Sequence, residues 1–272
     1  MGGMRLLVPA IAAVLALSAC GSSTAGHGQV EASSCRPVFF GVPGSGQGLE
    51  NPPPAELPDA VSASDAASYG TTVGLLKSAV VAIAGRELAS ATAIDYPATP
   101  VSQYIGPTGI IGDLAISEDQ GIEALLDAVR TSYGNGCPER SVLLAGYSQG
   151  AEVVIRSVNR LTPGQQEHVA VALFGNPSYV SGVAGDYPGG TGADGVRPSL
   201  LHLAYQLSNE VRFRTIDVCA PGDGVCNVSP NRTSSLGKVS YVLSHTKEHT
   251  QAYAFTHPEY VAHAAQFLWD NR

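Results

Sequence analysis

Residues 141–161 read SVLLAGYSQGAEVVIRSVNRL. Ser141 to Ala145 is a short apolar run, and from Ala151 to Leu161 apolar side chains return at helical spacing. Between them stands Gly146-Tyr147-Ser148-Gln149-Gly150, a G-x-S-x-G pentapeptide. A buried strand that turns into a helix at such a pentapeptide holds its serine on a strained turn, with the hydroxyl presented above the sheet. Glycines stand two residues to either side because side chains there would meet neighbouring backbone. The helix behind Ser148 aims its first N–H groups at negative charge forming on the far side of the serine, and the Gln149 N–H is the natural donor. Ser148 is the candidate nucleophile.

Outward from this unit, strands and helices alternate. Pro37 to Val42 is an apolar run entering a glycine-rich turn and reads as a buried strand. The stretch Asn51-Pro52-Pro53-Pro54 reads as an extended loop, and Ser62 to Ser90 as one long helix or two shorter ones. A second strand is expected over Ala91 to Tyr96. A helix is expected to begin at Ser117, where Ser117-Glu118-Asp119-Gln120 has the form of a capping box and Ile122, Leu125, Leu126 and Val129 share a face. Further strands are expected over Val169 to Phe174 and Val211 to Val218, and a closing helix over Glu259 to Trp269. Gly175 to Pro198 is glycine-rich without periodicity and reads as a surface excursion. Continuous apolar strands alternating with helices imply a mostly parallel sheet covered on both faces, a three-layer α/β/α sandwich.

The composition limits the partners. Of 272 residues, 44% are hydrophobic and only 14% charged, which supplies a full core and argues against disorder as the overall state. The formal charge is −8 and Lys and Arg form no cluster, so a nucleic-acid partner, which needs a basic stripe for its phosphates, is not expected. HExxH and Walker patterns are missing from the sequence, and neither metal nor cofactor is expected.

The N-terminus reads as an address. One positive charge at Arg5 precedes an apolar run from Leu6 to Leu17, shorter than the roughly 20 residues a bilayer requires but suited to export. The run ends Leu17-Ser18-Ala19-Cys20-Gly21, which resembles a bacterial lipobox. Residues 1–19 are then a signal peptide, Cys20 the lipidated N-terminus, residues 20–34 a flexible tether, and 35–272 the folded domain. The location expected is the outer face of the cell membrane, or secretion if the lipobox is unused. Five cysteines are an odd count for an exported protein; assigning Cys20 to lipid leaves Cys35, Cys137, Cys219 and Cys226. Three pairings are open, and closeness in sequence favours Cys219 with Cys226 and Cys35 with Cys137. In the chain-entropy picture these loops contribute about 2.5 and about 4.7 kcal/mol.

A nucleophilic serine needs a base, and the base a carboxylate that orients it. Asp223 lies between Cys219 and Cys226, just past the C-terminal end of a strand, where α/β active sites collect. Asp217 competes but lies inside the expected strand. His245, His249, His257 and His263 follow, and His263 falls within the closing helix.

Together GYSQG, the aspartate bracketed by Cys219 and Cys226, Cys35 before the first strand and Cys137 before the serine strand resemble the cutinase family of serine esterases. The resemblance implies the same two cysteine bridges. It also implies that Ser45, in the Gly44-Ser45 step after the first strand, joins the Gln149 N–H in an oxyanion hole. In the family the histidine precedes a tyrosine by three residues and an aromatic of the last helix by about fourteen. His249 stands four before Tyr253 and eighteen before Phe267. That departure favours His249 while leaving His257 and His245 open. The activity implied is hydrolysis of uncharged carboxylic esters of short to medium acyl chains, lipid or polyester among them, by a monomer attached to the membrane through its anchor. Two alternatives stand beside it: an acyltransferase with the same triad, and an anchored binding protein with a degenerate site.

Overall fold

The computed structural model describes residues 35–49, 51, 56–100, 112–134, 136–183, 185–188, 192–228, 231 and 234–272. The expected signal peptide, Cys20, the tether and the triple proline at 52–54 lie outside the described residues. In chain order the elements are β1 (Val38–Val42), α1 (Ala63–Tyr69), α2 (Thr71–Ala84), β2 (Ser90–Ala93), α3 (Gly112–Gly134), β3 (Val142–Tyr147), α4 (Gln149–Val158) and α5 (Pro163–Gln166). They continue with β4 (Val169–Phe174), β5 (Asp186–Tyr187), α6 (Asn209–Arg212), β6 (Thr215–Val218), α7 (Ser235–Ser244), α8 (Thr246–Gln251) and α9 (Pro258–Asp270). Arg197–Leu201 and Ala252–Thr256 are π-helical turns.

The strands form one sheet in the order β2-β1-β3-β4-β6-β5, and every neighbouring pair is parallel. β1, β3 and β4 are buried along their whole length, as strands covered on both faces must be. Alternation along them sorts the core into two layers. Val38, Phe40, Val142, Leu144, Val171 and Leu173 pack with Ile122, Leu125 and Val129 of α3 and Val154 and Val158 of α4. Phe39, Leu143, Ala145, Ala172 and Phe174 pack with Val73, Leu76 and Val80 of α2 and Val261, Ala265 and Leu268 of α9. Each large side chain so buried contributes about 1.5–3 kcal/mol. The architecture is the three-layer α/β/α sandwich read from the sequence. Both bridges are formed, Cys35–Cys137 across 102 residues and Cys219–Cys226 across 7.

Four local expectations are corrected. The third helix begins at Gly112, not Ser117. The supposed capping residues lie inside it, and the first two are buried: Ser117 Oγ accepts from the Thr99 N–H at 3.3 Å, and Glu118 pairs with Arg156 and Arg197. The strand expected over Val211–Val218 is halved, because Asn209–Arg212 closes a helical turn and only Thr215–Val218 reaches the ladder. β2 occupies Ser90–Ala93, and Ile94 and Tyr96 beyond it are buried with the α3 layer. The glycine-rich excursion is more than surface: it supplies β5, and Asn176, Ser178 and Tyr179 within it are buried.

Arg197 ties that excursion down. Its Nε lies 2.9 Å from Glu152 Oε2 and its Nη2 2.6 Å from Glu118 Oε1. Glu152, on α4, is wholly buried and also accepts from Ser178 Oγ at 2.5 Å. Burial raises the Glu152 carboxyl to about 7 despite the opposing charge of Arg197. Arg156 closes the network, bonding Glu118 at 3.0 Å, and both guanidinium groups sit 5.2 Å from the centre of the Tyr205 ring.

Candidate active site

Ser148 stands at the junction of β3 and α4 with φ 55° and ψ −120°, a left-handed conformation unusual for a residue with a side chain. Two close approaches explain the glycines around it. A Cβ on Gly146 would lie 2.4 Å from the Gly150 carbonyl oxygen, and one on Gly150 would lie 2.3 Å from the Val42 carbonyl oxygen. The turn is therefore possible only because helix α4 can press against β1 and β3 with no side chain between them.

The Asp223 and His249 side chains reach this serine from two segments that follow β6. Asp223 lies in the loop clipped by Cys219–Cys226, immediately beyond β6. His249 lies on α8. His249 Nε2 is 3.0 Å from Ser148 Oγ, and His249 Nδ1 is 2.9 Å from each oxygen of Asp223. Ser148 and His249 are each 8% exposed, enough for a reagent to reach them, whereas Asp223 is fully enclosed. Burial alone would raise the Asp223 carboxyl. The facing His249, together with hydrogen bonds from His249, Tyr253 and the Val225 N–H (2.8 Å), outweighs burial and holds it below the usual carboxylate value. The geometry can pass a proton from Ser148 Oγ to a ring whose far nitrogen faces a carboxylate.

The other histidines point elsewhere. His245 Nδ1 is 2.9 Å from the Tyr241 carbonyl, His257 Nδ1 is 3.0 Å from Glu259, and His263 stacks on Tyr187. Tyr253, four residues on from His249, lies in the π-helical turn Ala252–Thr256 and is buried. Asp217 bonds Asn176 at 2.8 Å and takes no part.

On the side of the serine facing β1, the Gln149 N–H opens α4 and has no partner within the helix. Ser45 Oγ donates to Gln149 Oε1 at 3.1 Å, which brings the glycine-rich turn after β1 against the start of α4. Both candidate oxyanion donors thus come from the same small region.

Three contributors were not singled out from the sequence. Tyr147 stacks under His249, centroids 4.9 Å apart, and its hydroxyl donates to the His249 carbonyl at 2.9 Å. Gly175 follows β4 with φ 54° and leaves room for the imidazole. The Tyr253 hydroxyl donates to Asp223 Oδ2 at 2.5 Å. The place of Tyr147 inside GYSQG and that of Tyr253 after His249 were signals for two of them, and Gly175 had none.

Fold and site together place the chain among the α/β hydrolases. Comparison with known proteins narrows this: the family profile described as Cutinase matches residues 52–260. The chain belongs to the cutinase family. It is 38% identical over 109 residues to the carboxylesterase Culp1 of Mycobacterium tuberculosis, a stretch that covers 40% of this chain and 43% of that protein. It is 32% identical over 111 residues to the cutinase CUT1 of Coprinopsis cinerea, covering 40% of this chain and 50% of the other. These matches span half or less of the curated relatives. Among solved structures it is similar in fold to an acetylxylan esterase (TM-score 0.57, 19% identity, 86% of this chain and 97% of the other). A cutinase-like protein from Cryptococcus sp. is also similar (TM-score 0.52, 18% identity, 87% and 94%).

Proposed function

We propose that this protein is a carboxylic ester hydrolase in which Ser148 is the nucleophile, His249 the general base and Asp223 the carboxylate that orients it. The observation that carries the reading is the continuous run from Ser148 Oγ through His249 to Asp223, at 3.0 and 2.9 Å. His249 Nε2 takes the Ser148 proton as Oγ attacks the ester carbonyl. The carbonyl oxygen, now negative, takes hydrogen bonds from the Gln149 N–H and from the Ser45 hydroxyl, which turns away from Gln149 Oε1 to make its bond. His249 returns the proton to the departing alkoxide, leaving an acyl-enzyme. Water, deprotonated by the same nitrogen, then releases the acid and restores Ser148. Each oxyanion donor of this kind is typically worth about 10²–10³ in rate.

Hydrolysis of p-nitrophenyl esters from C2 to C16 tests the reading. Ser148→Ala is expected to abolish turnover with Tm retained, and His249→Ala to lower kcat by about 10³ or more while His257→Ala leaves it within about twofold. Activity surviving Ser148→Ala would overturn the assignment. The best chain length identifies the acyl class, short to medium chains being the expectation. We also infer from Leu17-Ser18-Ala19-Cys20 that the domain is held at the membrane through Cys20. Cys20→Ala is expected to move the protein from the membrane fraction to the medium, and retention there would refute the anchor.

A further inference from the structure

Asp223 accepts a hydrogen bond that a nucleophile, a base and a carboxylate do not account for. Tyr253 Oη donates to Asp223 Oδ2 at 2.5 Å, and that oxygen is also 2.9 Å from His249 Nδ1. The phenol is fully buried and doubly held: its oxygen accepts from the Ala220 N–H at 3.2 Å, which leaves its own proton only Asp223 as a partner in that bond. Phe174 and Tyr147 meet its ring edge-on at 5.5 and 6.1 Å, fixing its orientation. The titratable groups facing the phenol–carboxylate pair are His249 from α8 and Tyr147 from the end of β3. Cys226, whose sulfur lies 3.5 Å from Tyr253 Oη, is held in the bridge to Cys219.

We propose that Tyr253 is a positioning residue for the reaction, extending Ser148–His249–Asp223 to a fourth group whose hydrogen bond orients the carboxylate and draws charge from it. The proposal rests on the triad reading and deepens it. A buried carboxylate with its full charge directed at His249 would hold the imidazolium too firmly, and the ring would give its proton less readily to the leaving alkoxide. A phenol O–H spreads that charge without neutralising it, because burial and the neighbouring anion hold Tyr253 well above its ordinary pKa. The proton therefore stays on the phenol. The short bridge and the Ala220 N–H fix where the donor and acceptor meet.

Tyr253→Phe removes one oxygen and keeps the ring. With the phenol gone, the imidazolium is favoured and the carboxylate is easier to protonate, and both push the acid limb the same way. The acid limb of kcat/KM on p-nitrophenyl butyrate is expected to rise by about half a pH unit. The expected fall in kcat is about tenfold, with KM unchanged. Tyr133→Phe is the matched control. It removes another buried phenol, which donates to the Gln165 carbonyl at 3.1 Å in the α3 layer, and it is expected to leave the pH profile and kcat as in wild type. Thermal melts of both variants report folding. A folded Tyr253→Phe enzyme with the wild-type acid limb and kcat would overturn the proposal. Equal shifts in the two variants would overturn it as well, since they would mark a general packing effect. Ser148→Ala separates the failures: if it keeps turnover, the triad reading itself falls; if it is dead while Tyr253→Phe is unchanged, only the role of Tyr253 falls.

Discussion

Position 175 follows β4 directly, and its backbone N–H donates to the Val218 carbonyl at 3.1 Å, tying the ends of β4 and β6 together. A Cβ there would lie 2.6 Å from His249 Cε1, 2.9 Å from its Nδ1 and 3.0 Å from Asp223 Oδ2. The φ of 54° already disfavours any side chain. Gly175→Ala therefore has to move the imidazole, the carboxylate or both, by a few tenths of an ångström or more. Near-attack geometry is sensitive at that scale, and kcat on any ester is expected to fall about 100-fold, with a smaller loss in Tm. A variant with wild-type kcat would show that the His249 ring has slack that its stacking on Tyr147 argues against. Legibility differed residue by residue here. Ser148 could be found because the strained turn forces glycines onto fixed positions beside it. Asp223 could be found because two cysteines bracket it. The space Gly175 protects is created by a histidine 74 residues away in sequence, and no local pattern encodes that approach.

Among the elements, the segment between β4 and β6 shows what periodicity cannot report. It has no repeat because it is held by point contacts rather than by an apolar stripe. β5 is two residues long, too short for a period of two to register. The tie is Arg197, and its partners Glu118 and Glu152 sit on two different helices. Ser117-Glu118-Asp119-Gln120 resembles a helix start without being one because α3 already runs from Gly112 and the Ser117 hydroxyl takes the Thr99 N–H. The core elements were legible because β1, β3 and β4 are continuous apolar runs, and continuous runs between helices admit few arrangements other than a parallel sheet. Removing Arg197 should expose how much the excursion depends on it. Arg197→Met leaves Glu152 buried and unpaired, and breaking a buried pair in this way costs about 3–5 kcal/mol. Urea unfolding at pH 8 is expected to show a loss of that order. At pH 5 the loss is expected to shrink, because the Glu152 carboxyl, raised to about 7, takes up a proton there. Equal losses at both pH values would refute the account.

For the whole molecule, three buried carboxyls pull stability in opposite directions with pH. Asp223 is held below its ordinary value, so its contribution is present above about pH 4 and lost as acid protonates it in the fold. Glu152 and Asp217 are both raised to about 7, chiefly by burial. Between their unfolded values, near 4, and about 7, the folded protein binds more protons than the unfolded chain, so their contribution is complete only below about pH 4 and is lost progressively as pH rises to 7. The molecule is therefore expected to be most stable in mildly acidic solution. Asp217 gives the cleaner test, since Glu152 is bound to a guanidinium. Part of the Asp217 residue is accessible, but its Oδ1 is sealed from solvent without a hydrogen-bond partner, while Oδ2 accepts from Asn176 Nδ2. Asp186 stands opposite it in register on β5, and both line a cavity of about 40 Å³ against β4 and β6. The neighbouring negative charge adds to the burial in raising Asp217. An asparagine has nearly the shape of the protonated acid and carries no charge. Asp217→Asn is thus expected to leave Tm near the wild-type value at pH 4 and to raise it at pH 8 by about 3 °C, corresponding to roughly 1 kcal/mol in a domain of this size. Kinetics on p-nitrophenyl butyrate should stay unchanged at both pH values, because Asp217 touches neither Ser148 nor His249. A variant destabilised at pH 8 would mean that the Asp217 charge is held by an attraction stronger than the burial that opposes it.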